Sequence, residues 1–489
     1  MAILHLSVLS TGRASSRRHN LGDAQPCVGL LVPTKACRRK RHSCRSYRKA
    51  RCLAVAQQTL AERVSGQLQG KPDELLDAVI IAGAGIGGLA AAAALTKLNV
   101  PVVVLERASK PRDEGGAIAL WPNAFRALDA LGLAQSLREA HPLLERVELW
   151  SSSGEQLRTF ALDECEGAPH EFRGVARGEL LAALRSAVPA EKIIYDCPVN
   201  VVHALEEGMQ VTLEDGSDFQ ARIVVGADGT RSRVSSTLRL LPPSYSGYSA
   251  YRGVADISGT GLQPLTPSNI VRQLFGEGVR TGLYPLSASQ WYWFVCWNCP
   301  ADDPALTGEE GKAHALSLVQ DWADSAGAKQ AIANTPAETI TRSRVVDRWR
   351  LPGMRTPSHM MTLLGDAAHP MTPNLGQGGC CALEDAVVLA RELAAACTSS
   401  GDGSAASSGR LSLMQAPTKG LTDALRRFEK ERSARVLPIT IRSHLMGRIL
   451  QLPQAPVCAV RNAFISKALP ISNFMGHTMY DCGPLATPA

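Results

Sequence analysis

Short apolar runs bounded by glycine and proline recur along the chain and set its element order. Asp77–Ala82 (DAVIIA) leads into a glycine-rich turn. Ile86–Leu98 reads as an alanine-rich helix that stops near Asn99, and Pro101–Leu105 (PVVVL) is a second β-branched run. That order is a βαβ unit, and continuous apolar runs of this length belong to strands buried on both faces of a parallel sheet. Asn123–Leu131 and Arg177–Val188 carry helical spacing. Met209–Leu213 and Ala221–Val225 flank Asp215-Gly216, a hairpin-type turn. From about 245 to 345 the pattern changes to strands: Ser249–Val254, Ile270–Phe275 and a stretch holding Trp291, Tyr292, Trp293, Phe294 and Trp297. An antiparallel sheet is expected there, one face covering a cavity. The aromatic stretch reads equally as a core strand packed on both faces. Met360–Leu364 returns to a strand, followed by a glycine-rich turn and a helix to about Ala396. Residues 397–419 are small and polar, as in a flexible loop; 422–450 read as helix, and the tail after Pro453 as irregular or weakly helical.

Charge is distributed unevenly. Residues 1–60 hold 12 Lys/Arg and one acid, Asp23, a local net charge of +11. The chain totals 52 basic and 45 acidic residues, so the remainder holds 40 and 44, a net of −4. The basic balance therefore belongs to the N-terminus and is no evidence that the body binds nucleic acid. The Ser/Arg-rich, acid-poor segment 1–70 has the profile of an organellar transit peptide, with cleavage expected between Arg51 and Lys71. The same charges would permit a basic tail touching RNA or a membrane surface. The 13 Cys in 489 residues are too dilute for a disulfide scaffold and form no paired CxxC array. No metal site is expected.

Three segments carry candidate chemistry. Gly83-Ala84-Gly85-Ile86-Gly87-Gly88 sits between a strand and a helix. Gly83 permits the tight turn, Gly85 lets a pyrophosphate approach the backbone, and Gly88 permits close helix–sheet packing. Glu106 ends the next strand, 23 residues after Gly83, where it can accept from a ribose diol. An ADP-containing dinucleotide is the ligand this context implies. The second segment, Gly226-Ala227-Asp228-Gly229-Thr230-Arg231-Ser232, is by spacing alone a turn with a cap. The third runs from Gly365-Asp366 through His369-Pro370-Met371-Thr372-Pro373 to Gly376-Gln377-Gly378-Gly379. It is either a phosphate nest or a structural turn.

Together these segments resemble the single-component flavoprotein monooxygenases of the aromatic-ring hydroxylase superfamily, and within it the plant salicylate-hydroxylase-like enzymes, with zeaxanthin epoxidase a cousin. The likeness covers about Asp77 to Leu485 and is strongest at Leu364–Gly378 and Cys380–Asp385; Tyr251-Arg252-Gly253 also matches the plant group. It implies an α/β fold: a Rossmann-like FAD-binding domain of the glutathione-reductase type over 75–243 and 345–396, an inserted antiparallel β-sheet substrate domain over 244–344, and a C-terminal helical region over 420–489. The same resemblance places Gly83, Gly85, Ile86 and Gly88 on the FAD pyrophosphate and Glu106 on the adenosine ribose. It places Arg112 and Arg177 near the flavin, and Asp228 and Gly229 in a fingerprint serving FAD and nicotinamide. Asp366 would bind the ribitol chain, with Pro373, Gly376, Gln377 and Gly378 along the isoalloxazine. His369 is a candidate for substrate positioning or for a structural hydrogen bond, and Pro373 is the other residue set against the chemistry.

The implied reaction is NAD(P)H-dependent: one oxygen atom of O2 enters an aromatic or isoprenoid molecule through a C4a-hydroperoxyflavin. NADPH or NADH is the co-substrate. No residue pair in the sheet segment reads as a carboxylate clamp. Alternatives are carotenoid epoxidation, halogenation or reduction on the same fold, and a flavin-bound scaffold or chaperone without catalysis. The plant likeness implies a chloroplast, with the mitochondrion as alternative. Oligomeric state is not specified.

Overall fold

The computed structural model describes residues 59–67, 75–111, 116–167, 170–238, 240–323, 327–349, 360–398, 411–471 and 475–486. Most of the expected targeting segment, Arg112, and most of the expected loop at 397–419 lie outside the described residues.

The apolar runs form the expected parallel sheet. β1 (Val79–Ala82), β2 (Val102–Leu105), β7 (Ile193–Ile194), β11 (Ile223–Gly226) and β17 (Met361–Leu363) lie in the order β17-β11-β1-β2-β7. Every pairing is parallel. All their residues are buried, which is why they carry no polar alternation. The helix Ile86–Lys97 buries every residue from Gly88 to Leu95. A helix that is apolar all round must be enclosed. Its small side chains let it press against both the sheet and the helix Gly378–Thr398, and a Cβ on Gly87 would stand 2.5 Å from Leu364 Cδ1.

A second, seven-stranded sheet faces this unit. Its order is β16 (Thr341–Asp347), β12 (Ser244–Asp256), β15 (Gln290–Asn298), β14 (Val279–Pro285), β13 (Ile270–Phe275), β4 (Arg146–Ser151) and β5 (Gln156–Ala161). Two features differ from the sequence expectation. β4 and β5 come from the segment assigned to the dinucleotide domain, and β13 pairs with β4 in parallel. The sheet is therefore mixed, and its boundary does not fall at 243/244. Alternation in β4 (half-buried, buried, in turn) was compatible with either sheet; only the long-range pairing decides.

The Asp215-Gly216 turn joins β9 (Met209–Leu213) to β10 (Asp218–Ala221), and the chain then continues straight into β11. β8 (Val199–Ala204) completes that meander. A two-stranded link, β3 (Ala117–Leu120) with β6 (Arg173–Ala176), bridges toward the second sheet. The C-terminal region is more helical than expected: Thr418–Leu450 is followed by a 14-residue helix, Ala455–Ala468. At the other end, Leu60–Gln67 is a helix of the body. Val64 is fully buried, and the Leu60 amide donates to Asp215 Oδ2 at 2.7 Å. Residues 60–67, counted in the expected targeting segment 1–70, are thus a packed helix of the body.

Candidate active site

The three glycine-bearing loops follow the C-terminal ends of β1, β11 and β17, which are neighbours in the sheet. Segments 280 residues apart in sequence thus meet on one edge, the edge where open α/β sheets bind ligands. They form one side of a cavity of about 1230 Å³, with Gly85, Ile86, Gly229, Asp366, Pro373, Gly376 and Gly378 among its walls and Arg177 beside them.

The glycines divide by what a side chain would meet. Gly83 has φ +110°, and a Cβ there would lie 2.6 Å from the Ala227 carbonyl oxygen; one on Gly88 would overlap the Gly83 carbonyl oxygen. These two serve the turn and the helix–sheet contact and do not line the cavity. At Gly85 a Cβ would meet nothing within 4 Å, so its lack of a side chain answers no need of the protein's own packing. Gly85 N-caps the Ile86–Lys97 helix with no side-chain cap and no acid in the first turn. The unpaired amides of that turn face an anion's place. Glu106 lies at the end of β2, accepting from the Ala84 amide at 2.8 Å and the Ala108 amide at 2.8 Å. Each carboxylate oxygen keeps further lone pairs for a diol. Asp366 presents its carboxylate to the cavity while protein walls its other sides. Desolvation raises its pKa above the ordinary carboxylate value, against the pull of His369, a hydrogen bond from Thr230 and the charges of Arg177 and Arg348. An open helix N-terminus, a glycine with free space above it and the Asp366 carboxylate on the cavity wall fit FAD; Glu106, at the end of β2, does not line the cavity.

Three expected site residues sit elsewhere. Asp228 Oδ2 accepts from the Arg233 amide at 2.7 Å and the Val234 amide at 3.3 Å, capping the short helix that follows, and Asp228 does not line the cavity. Gln377 is fully buried and turns away from the cavity, accepting from Asn123 Nδ2 at 2.8 Å. His369 is also buried outside the cavity wall. Its Nε2 lies 2.6 Å from Asp385 Oδ2, which also accepts from the Gly365 amide at 2.8 Å. Asp385 Oδ1 accepts from Arg432 Nε at 2.7 Å, Arg432 pairs on to Glu384, and Glu384 takes Arg435 at 3.1 Å and Asn123 at 2.6 Å. Desolvation would push the Asp385 carboxyl up, but His369, Arg432 and the Gly365 amide together hold it well below the ordinary range. His369 thus belongs to a buried charge network that fastens the glycine loop to two helices. The substrate-positioning role expected for it has no geometric basis here.

The opposite wall is the face of the seven-stranded sheet. Along β15 the aromatics alternate. Trp291, Trp293 and Trp297 point into a core under the helices Gly308–Ser317 and Ala328–Ala333, while Tyr292 and Phe294 face the cavity. One face of the strand is therefore core and the other lines the cavity, rather than both faces being packed. Trp291 and Trp293 donate their indole N–H groups to Thr266 at 3.0 Å and Thr335 at 2.8 Å. Tyr284 and Tyr292 pack with ring centroids 4.9 Å apart. Burial raises both phenols above their ordinary value, against the pull of Arg252, so each presents an O–H donor at neutral pH.

Two arginines on this wall carry no role in the sequence reading. Arg252 on β12 and Arg280 on β14 flank the same stretch of β15: Arg252 is opposite Phe294, and Arg280 is opposite Cys296. Arg252 donates to Ser343. Arg280, 3% exposed, donates to Asn374 and lies 5.4 Å over the Phe294 ring, and its Nε is buried without a partner. Among the described residues neither arginine pairs with a carboxylate. That positions 252, 280 and 294 share the face opposite Trp293 is read only from the strand pairing.

Residues 77–408 match the FAD binding domain family. The chain is an FAD-dependent monooxygenase. It is 33% identical over 387 residues to the aurachin C monooxygenase/isomerase of Stigmatella aurantiaca, covering 78% of this chain and 92% of that one. It is 30% identical over 429 residues to Monooxygenase 2 of Arabidopsis thaliana, covering 85% and 99%. Among solved structures, HpxO of Klebsiella pneumoniae complexed with FAD and uric acid aligns at a TM-score of 0.68 and 26% identity, covering 84% of this monooxygenase and 98% of HpxO.

Proposed function

We propose that this monooxygenase oxidises NAD(P)H and inserts one atom of O2 into a flat, largely apolar ring substrate bearing an acidic or carbonyl oxygen. The balance is substrate-H, O2, NAD(P)H and a proton giving substrate-OH, NAD(P)+ and water. The carrying observation is that one cavity has the dinucleotide loops on one side and Arg252, Arg280, Tyr284, Tyr292 and Phe294 on the other. Bound FAD supplies the electron transfer and the oxygen activation. The aromatic side chains would sandwich a ring and exclude water. A buried guanidinium without a counter-charge is costly, and a substrate oxyanion or carbonyl would relieve it. Asn374, in the flavin-side loop, accepts from Arg280 and donates to Tyr248 Oη at 3.1 Å and to the Ser443 carbonyl at 2.7 Å. The guanidinium that orients substrate is thereby held in register with the loop that orients the ring system.

The test is FAD-saturated protein given NADH or NADPH with a panel of phenols, aromatic acids, quinolones and isoprenoids under ¹⁸O2. Substrate-stimulated nicotinamide oxidation with one ¹⁸O in the product is expected; silence across the panel with FAD bound would sink the reading. For location, the basic segment before Thr59 is proposed to direct the protein to the chloroplast. A reporter carrying residues 1–58 that stays in the cytosol would refute that.

A further inference from the structure

The two C-terminal helices expose an apolar face that water should not favour. On Ala455–Ala468, Val457, Val460 and Phe464 recur at i, i+3 and i+7 with exposures of 42%, 70% and 52%. Leu445 and Ile449, one turn apart near the end of the preceding helix, are each 54% exposed. Single exposed apolar residues are ordinary; a helical stripe continued on the adjoining helix is not. The rim is basic. Arg442 lies one turn before Leu445, Arg448 beside Ile449, and Lys467 one turn after Phe464, all exposed. From Ser433 to Tyr480 there is no Asp or Glu, where the chain average of 45 acids in 489 residues would place about four.

We infer that this face docks on an anionic lipid bilayer. Apolar side chains ringed by Lys/Arg on a short helix are the features of in-plane interfacial binding. A second copy of the chain would bring one basic rim against another, and the chain's own N-terminal segment is itself basic, so neither matches in charge. The opposite sides of the same helices line the active-site cavity through Met446, Leu450, Ile465 and Leu469. The wall between that cavity and the docked surface is one helix thick, which fits a lipid-soluble substrate. That last clause rests on the proposed function; the docking does not.

The experiment uses the full-length, FAD-loaded protein and vesicles of phosphatidylcholine with or without phosphatidylglycerol. Sedimentation with the phosphatidylglycerol vesicles is expected, weakening as salt rises. Val460→Asp with Phe464→Asp should cut partitioning tenfold or more, with flavin absorbance and turnover of water-soluble ring substrates unchanged. Because the basic N-terminus could hold anionic vesicles by itself, Phe464→Trp gives an independent readout: its added fluorescence should be quenched by acyl-brominated lipid. Unchanged partitioning of the double variant together with absent quenching overturns the inference. So does a dimer in light scattering that the double variant dissolves while neither protein sediments with vesicles. Docking without any NAD(P)H oxidation would leave the inference standing and remove the functional reading.

Discussion

Gly85→Val separates a glycine needed by a ligand from one needed by the fold. A Cβ at Gly85 meets no heavy atom within 4 Å, and the residue has φ −78° and ψ −175°, open to any side chain. Losing glycine at a helix N-cap costs up to about 1 kcal/mol, and reduced unfolded-state entropy offsets about 0.4–1 kcal/mol of it. The apoprotein should therefore change stability by no more than about 1 kcal/mol. With FAD the balance differs. If the side chain keeps the pyrophosphate from two backbone amides, two hydrogen bonds to a charged group are lost at about 1.5–3 kcal/mol each. FAD affinity should then fall about 10²- to 10⁴-fold. Gly88→Ala is the contrast, because its Cβ would overlap the Gly83 carbonyl oxygen. It should destabilise the apoprotein by about 1–3 kcal/mol or more before any ligand is added. Urea unfolding of the two apoproteins, with FAD titration followed by flavin fluorescence, measures both quantities. A Gly85→Val protein that binds FAD within threefold of wild type would refute the placement of the pyrophosphate.

Three further outcomes follow from the site. His369→Ala leaves the buried Asp385 Oδ2 without its imidazole partner and should cost about 1–3 kcal/mol in unfolding, yet product formed per NAD(P)H consumed should stay within twofold of wild type; released peroxide measured with product would expose any catalytic share. Arg280→Met should retain FAD and lose about 10- to 100-fold in kcat/KM toward substrates bearing an oxyanion or carbonyl, the loss of one or two charge-assisted contacts, with a smaller change for substrates lacking that oxygen. Asp385 is held below its ordinary value in the folded protein, so the unfolded chain takes up the proton first and stability is lost as pH falls through and below the usual carboxylate range; Asp385→Asn should be less stable at pH 7 and flatten that acid slope, as read by thermal melts from about pH 5 down to about pH 2.

What could be read from the sequence, and what could not, divides by the range of the constraint. Gly83 and Gly88 were legible because a positive φ and a helix pressed on its own entering turn are local demands that one residue type meets at fixed spacing. The apolar runs of β1, β2, β11 and β17 were legible for the same reason, since burial on both faces removes every polar position. The tail helix Ala455–Ala468 was not. Pro453, Pro456 and Pro470 argue locally for irregular chain, and the helix is fastened by contacts far off in sequence: Arg461 donates to the Gly276 and Leu450 carbonyls at 3.1 Å, and Arg158 to the Ser466 carbonyl at 3.0 Å. His369 shows the same division inside the site. Its place in a glycine-rich loop suggested chemistry, but its partner's counter-charge, Arg432, is 47 residues beyond Asp385 on another helix, and burial with a carboxylate turned it from the cavity. The cavity-facing arginines reverse the case. Nothing local distinguishes Arg252 and Arg280 from solvated surface cations. Only the order β12-β15-β14 puts both beside Phe294, and only the burial of Arg280 without a carboxylate gives a reason for a ligand oxygen to be there. Glycines fixed by backbone shape are therefore the ones a sequence declares, whereas charges brought together in a shared cavity emerge from strand order.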